Sequence, residues 1–154
     1  MDKQMLLFIF FLISSLTTVA QDKVISLDDE TAIRQTVLNY AEGWYSGNSE
    51  RMGKALSPDL AKRGIFPTED GKGTQIYNAS YKQMLEWTKM QPNKLKDNPG
   101  VVEEVKILDL GQNIATVKCV MKDFIDILQL AKINNEWKIL NAIWEPNTSK
   151  TKLD

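Results

Sequence analysis

The sequence predicts an α+β domain with a mostly antiparallel sheet, and three observations carry that expectation. Four strand-like segments follow one another over 101–145, each rich in β-branched and aromatic residues. Short turn signals separate them: Gly111-Gln112-Asn113, Lys122-Asp123 and Asn134-Asn135. Helical periodicity is confined to the chain before them. Helices followed by a run of strands is the order of an α+β fold, not the alternation of a parallel α/β one.

The first twenty residues form a separate object. Lys3 opens a short basic region, residues 5–16 (MLLFIFFLISSL) are apolar, and Thr18-Val19-Ala20 supplies small residues ahead of Gln21. That is the layout of a signal peptide, so an exported protein is expected, periplasmic or secreted, with Gln21 at the mature N-terminus. An uncleaved anchor is the disfavoured alternative, because the run is short and diluted by Ser and Thr. Residues 21–27 read as a leader, 28–146 as one domain, and 147–154 as a polar tail.

Within the domain, three acids at Asp28, Asp29 and Glu30 suit the positive end of a first helix. Ile33, Val37, Tyr40, Ala41 and Trp44 fall on one face of it. Gly47 is its expected left-handed cap, and Asn48 caps a shorter second helix running to Leu56, which Pro58 stops. Residues 60–66 and 74–78 read as two short strands about the turn Glu69-Asp70-Gly71. Ser80 and Gln83 make a capping box for a third helix carrying Tyr81, Met84, Leu85 and Thr88 on one face. Gln91-Pro92 closes it, and the four strands follow.

With 154 residues and a net charge of −1, the chain is one domain's worth and gives no electrostatic reason to expect nucleic acid or anionic lipid as partner. It has no histidine and a single cysteine, Cys119. An internal disulfide and a Ser-His or Cys-His nucleophile are therefore excluded, and neither a metal nor another cofactor is expected. No glycine-rich phosphate loop is present. Two matches to a glycosylation sequon, at Asn78 and Asn147, carry little information.

The remaining candidates are carboxylates and aromatics. Asp123 and Asp126 flank Phe124 at a strand junction. Ala115, Val117, Cys119 and Met121 alternate inward, and continuing that pattern puts Asp123 on the inward face, where burial would raise its pKa and fit it as a general base. The favoured plain reading has both aspartates bonding the backbone of a tight turn. Tyr40, Trp44, Tyr77, Tyr81 and Trp144 suit an apolar cavity with polar tips, although the spacing of Tyr40 and Trp44 also fits a core stripe. The pair Lys62-Arg63 could hold an anionic group, with Arg63 the candidate ligand contact, but a solvated basic pair at a strand start is the commoner arrangement. In the last two strands Ile125, Ile127 and Ile133 alternate with Leu128 and Leu130, and Trp137, Ile139 and Ile143 alternate with Leu140 and Trp144. A sheet apolar on both sides is expected to pair with a second copy, giving a homodimer through its outer face.

Whole segments of the chain resemble the nuclear transport factor 2-like superfamily, and within it the branch of putative lumazine-binding proteins. The resemblance rests on residues 42–48 (EGWYSGN), 55–63 (ALSPDLAKR), 123–126 (DFID), 130–132 (LAK), 136–139 (EWKI) and 143–145 (IWE). It implies a cone-shaped roll, a curved sheet wrapped over three helices, open at one end where relatives place their ligands. It also points to a homodimer. Relatives often carry histidine at the positions of Ser57 and Gln129, so no histidine role comes with the resemblance. The superfamily hosts isomerases, dehydratases, polyketide cyclases and many pocket proteins without catalysis, so fold does not fix function. The sequence therefore leads to an exported binder of a small apolar or aromatic molecule. The alternative is a cofactor-independent isomerase, cyclase or dehydratase using Asp123 or Asp126 as base and a tyrosine as donor. A third reading is a structural domain with a filled cone.

Overall fold

A computed structural model describes residues 28–148. The segments read above as signal peptide and leader, and the end of the expected polar tail, lie outside the described residues. The chain divides into two compact units, Met1–Ala32 and Ile33–Asp154. Of the first, the described residues 28–32 are helical. Among the described residues no helix is long and apolar enough to cross a membrane.

The second unit is an α+β roll in which a curved six-stranded sheet packs on three helices. Of helix α1 (28–46), residues 33–46 belong to this unit; α2 is Ser49–Ala55 and α3 is Tyr81–Lys89. The strands are β1 (Leu56–Pro67), β2 (Thr74–Ala79), β3 (Val102–Leu110), β4 (Ile114–Met121), β5 (Phe124–Ile133) and β6 (Glu136–Pro146). They lie in the order β2-β1-β6-β5-β4-β3. Every neighbouring pair is antiparallel except β1 with β6, which is parallel.

Local chemistry fixes the element ends. Gly47 stands at φ 68° after α1, and the Asn48 side chain accepts from the Arg51 N–H to cap α2. Ser80 and Gln83 form a reciprocal capping box on α3. Asn134 and Asn135 both take positive φ, 50° and 65°, in the two-residue turn between β5 and β6, as a tight hairpin requires.

Pro58 does not end a helix at Leu56. α2 stops one residue earlier, and β1 begins at Leu56, well before the expected Leu60. The proline is tolerated because the β1–β6 register shifts between Leu56 and Ala61, leaving it in an irregular stretch with no regular ladder bond to donate.

The inner face carries the core: Leu56 and Leu60 from β1, Val117, Cys119 and Met121 from β4, Leu128 and Leu130 from β5, and Trp137, Ile139 and Ala142 from β6. The spacing in β6 is not a simple alternation. A register shift between Gln129 and Leu130 pairs Gln129 with Asn141 but Leu130 with Ile139, so Leu140 has no partner on β5. One extra residue reverses the side chains beyond it. Ile143, expected on the same face as Trp137 and Ile139, is instead 54% exposed, and Ala142 and Trp144 turn inward.

A methyl group at Gly47 would sit 2.5 Å from the Gln91 carbonyl oxygen, in a left-handed conformation. Gly47→Ala is therefore expected to lower stability by more than about 1 kcal/mol, the usual cost of strain at such a position, as a fall in the urea midpoint with unchanged slope.

Candidate functional site

Inward-facing positions of β1, β5 and β6, with α1 and α3 above them, leave a cavity of about 530 Å³. Its size is that of a small-molecule site. The row of residues directly across the inner sheet explains its character. Cys119 on β4 stands opposite Asp126 on β5, Asp126 opposite Trp144 on β6, Trp144 opposite Gly64 on β1, and Gly64 opposite Tyr77 on β2. Gly64 is needed there because a Cβ would lie 2.7 Å from ring atoms of both Trp144 and Phe66. The missing side chain is the space into which the two rings close.

Those rings continue as a chain of edge-to-face contacts along the wall. Trp44 meets Phe124 at 6.5 Å between centroids, Phe124 meets Trp144 at 5.0 Å, Trp144 meets Phe66 at 4.9 Å, and Phe66 meets Tyr77 at 5.3 Å. Interplanar angles of 75° to 87° are those favoured by ring quadrupoles. Met84 and Trp87 from α3 also line the cavity. Tyr77 and Trp87 are 54% and 38% exposed, so these two lining residues stand where the cavity meets solvent.

A compact polar group lies in this apolar wall. Lys62 Nζ donates to Asp126 Oδ1 at 2.8 Å and to the Tyr40 hydroxyl, and Tyr40 in turn donates to the same Oδ1 at 2.9 Å. All three side chains are buried: Lys62 is 6% exposed and Asp126 fully enclosed. The ammonium also sits 4.8 Å from the Trp144 ring centroid and 5.1 Å from that of Tyr40, a cation–π arrangement strengthened by desolvation. Asp126 Oδ2 has no hydrogen-bond partner among the described residues.

Burial holds the Lys62 pKa below the usual lysine range, opposed by the charge of Asp126. Burial first, and then the Asp126 charge, hold the Tyr40 phenol well above its ordinary value. Cys119 is pushed up to about 12 by burial and by Asp126, so its thiol is a buried hydrophobe and not a nucleophile.

Of the residues singled out from the sequence, Tyr40, Trp44, Tyr77, Asp126 and Trp144 line this cavity. Asp123 does not. It is exposed, its backbone N–H donates to the Tyr45 hydroxyl at 3.1 Å, and it borders a separate depression with Lys94, Asp97 and Lys122. The inward alternation of β4 ends at Met121, and the two-residue turn resets the facing, so Asp126 is the inward carboxylate. Tyr81 is also outside the lining; it is half-buried against the core, with its hydroxyl near Gly53 of α2. Arg63 is exposed on the outer face.

Lys62, read from the sequence as half of a basic pair for which solvation is the favoured state, is instead buried in the site. Its signal was the alternation Leu60, Lys62, Gly64 along β1, which places a lysine inward in phase with Leu60. Among the described residues no group of three or more histidine, cysteine, aspartate or glutamate side chains could hold a metal ion.

Removing one partner of a buried ion pair leaves the other charge stranded. Lys62→Met and Asp126→Leu are each expected to cost about 3–5 kcal/mol. The triple variant Lys62→Met, Asp126→Leu, Tyr40→Phe should recover most of that loss. Urea unfolding of the four proteins checks it, and additive losses would count against a coupled triad.

A family model described as putative lumazine-binding matches residues 28–145. Solved structures share the fold. An NTF2-like protein of unknown function from Methylobacillus flagellatus is 22% identical, with TM-score 0.58 over 78% of this chain and 93% of that one. An NTF2-like protein with a cystatin-like fold from Novosphingobium aromaticivorans is 12% identical, with TM-score 0.62 over 84% and 88%. One of unknown function from Shewanella baltica is 17% identical, with TM-score 0.56 over 79% and 95%. No curated protein matches the chain.

Proposed function

We propose that this chain, which belongs to the putative lumazine-binding family, binds a small, largely apolar or aromatic molecule in the cavity between α1, α3 and the sheet. The observation that carries the reading is the composition of that cavity. Five rings in edge-to-face sequence form its wall, and the Lys62, Tyr40 and Asp126 heads are the polar tips on it. An apolar cavity with a few convergent polar groups is the usual form of a small-molecule site. A domain with a filled cone would leave no such volume.

Binding is favoured over turnover by an aspartate base acting directly on a substrate proton, because Asp126 is committed to its two neighbours. A general base needs an oxygen within reach of a substrate proton. Asp126 Oδ1 already accepts from both Lys62 and Tyr40, and Oδ2 is enclosed. Export of the chain, read from residues 1–20, puts this binder in the periplasm or the medium.

N-phenyl-1-naphthylamine, a neutral fluorescent aromatic, tests the reading. Its emission should rise on binding, and at a hundredfold excess over its dissociation constant it should stabilise the protein by about 2.7 kcal/mol. Ala79→Trp fills the cavity from β2 and should weaken the probe by about tenfold or more, roughly 1.4 kcal/mol per factor of ten. Equal emission from both proteins would place the probe elsewhere and defeat the proposal.

The same reading includes a homodimer through the outer face of the sheet. Supporting it, the register partners Ile127 and Ile143 are 39% and 54% exposed, and Ile76, paired with Ile65, is 61% exposed. Isoleucines clustered on one face make a patch that water covers poorly. Light scattering at micromolar concentration should give twice the chain mass, and Ile143→Lys should return it to one. A monomeric wild type would dispose of the dimer.

A further inference from the structure

Resting on the reading of the cavity as a small-molecule site, we propose that Lys62 captures carbonyl compounds covalently, its Nζ condensing with an aldehyde or ketone seated against the aromatic wall to give an imine. Lys62 is the one amine among the residues lining the cavity, and the one lysine among the described residues that is buried. Imine-forming lysines are desolvated amines in apolar pockets, beside groups that can relay protons. Both conditions are met at Nζ. Rings of Tyr40 and Trp144 flank it, and a carboxylate and a phenol lie within hydrogen-bond distance.

The step balances with those groups alone. Asp126 takes one proton from the ammonium, leaving a lone pair on Nζ. That pair forms the C–N bond while the carbonyl π pair moves onto oxygen. A proton then passes from nitrogen to that oxygen through the Tyr40 hydroxyl, giving a neutral carbinolamine. The proton on Asp126 returns through the Tyr40 hydroxyl to the carbinolamine hydroxyl, the C–O bond breaks, and water leaves as the nitrogen lone pair forms the C=N bond. An ammonium and a carbonyl become an iminium and one water. No oxidant, metal or further reactant enters.

Charge supports the proposal independently. The starting ammonium and the product iminium are both monocations, so Asp126 remains paired before and after. The buried site never holds an uncompensated charge at either end of the step. A carboxylate ligand, by contrast, would bring a second negative charge to a lysine already neutralised by Asp126. The cavity opens to solvent beside Tyr77 and Trp87, which gives the released water a way out.

The test uses the protein without its signal segment, with benzaldehyde and 2-naphthaldehyde as carbonyl probes near neutral pH and sodium cyanoborohydride as trap. Intact mass should show one benzyl or naphthylmethyl group per chain, and peptide mapping should place it on Lys62. Lys62 should carry the label in clear preference to every exposed lysine, because it is the one amine seated against the aromatic wall with a carboxylate and a phenol in hydrogen-bond distance. Lys62→Arg keeps the cation for Asp126 but cannot form the imine. It should stay folded, by its urea unfolding midpoint, and lose the selective label. Displacement of N-phenyl-1-naphthylamine by the same aldehydes is read in parallel. If the dye binds but neither aldehyde labels Lys62 in preference to surface lysines, covalent capture is overturned while the binding site stands. If the dye does not bind and Lys62 is unlabelled, both readings fall.

Discussion

The contact between Lys62 and Asp126 reaches across a strand. β1 and β5 are not neighbours; β6 lies between them. The lysine therefore spans the inner face of β6, where its register partner is the small Ala142. Tyr40 closes the triangle from α1. Three elements far apart in sequence are thus tied at one point, and the helix and sheet are held in a fixed relation at the wall of the cavity. Such a contact is a poor source of net stability, because desolvating two charges consumes most of what their attraction returns. Hydrophobic side chains of similar volume would hold the core as well or better. What they could not supply is a fixed amine, phenol and carboxylate in an apolar chamber.

That chamber depends on a defect in β6. Without the extra residue at Leu140, strict alternation from Trp137 and Ile139 would send Trp144 to the outer face and bring Ile143 inward. The ring chain from Trp44 to Tyr77 would lose its middle member, and Lys62 would lose one of its two aromatic neighbours. Gly64 matters for the same reason from the adjacent strand, since its backbone receives the edge of Trp144. The bulge and the glycine act on one side chain: the first aims it, and the second makes room for it.

These two devices also mark where the sequence was legible and where it was not. Segments whose information is local could be read directly. The four C-terminal strands, the capping box at Ser80, the left-handed Gly47 and the Asn134-Asn135 turn depend on residues within a few positions of one another. The facing of Ile143, Trp144 and Asp123 is different, because it depends on a register set by partner strands. Counting in twos from Trp137 or from Ala115 gives the wrong face once a bulge or a two-residue turn has reset the phase. Pro58 misled for a related reason. It breaks a helix in any context, but a parallel partner with an irregular register lets a strand pass through it. Lys62 was legible in principle, since Leu60 and Gly64 bracket it at strand spacing. A strand-start basic pair is commonly solvated, and the residue that neutralises this one lies 64 positions away.

The absence of histidine narrows what this chamber can do more than its shape does. Near neutral pH, a proton relay without imidazole must use groups whose ordinary pKa values lie far from the ambient pH, and burial is the means of bringing them closer. Burial moves the three groups here in unequal ways. It lowers the lysine and raises the tyrosine, while the aspartate between them opposes the first change and adds to the second. The amine is thereby the member drawn toward neutrality from above, and the phenol is held as a donor. An isolated carboxylate base would need freedom to meet a substrate proton, yet both of its bonded neighbours converge on one of its oxygens. The nitrogen of Lys62 thus bonds the oxygens of both Tyr40 and Asp126 and lies close to the rings of Tyr40 and Trp144.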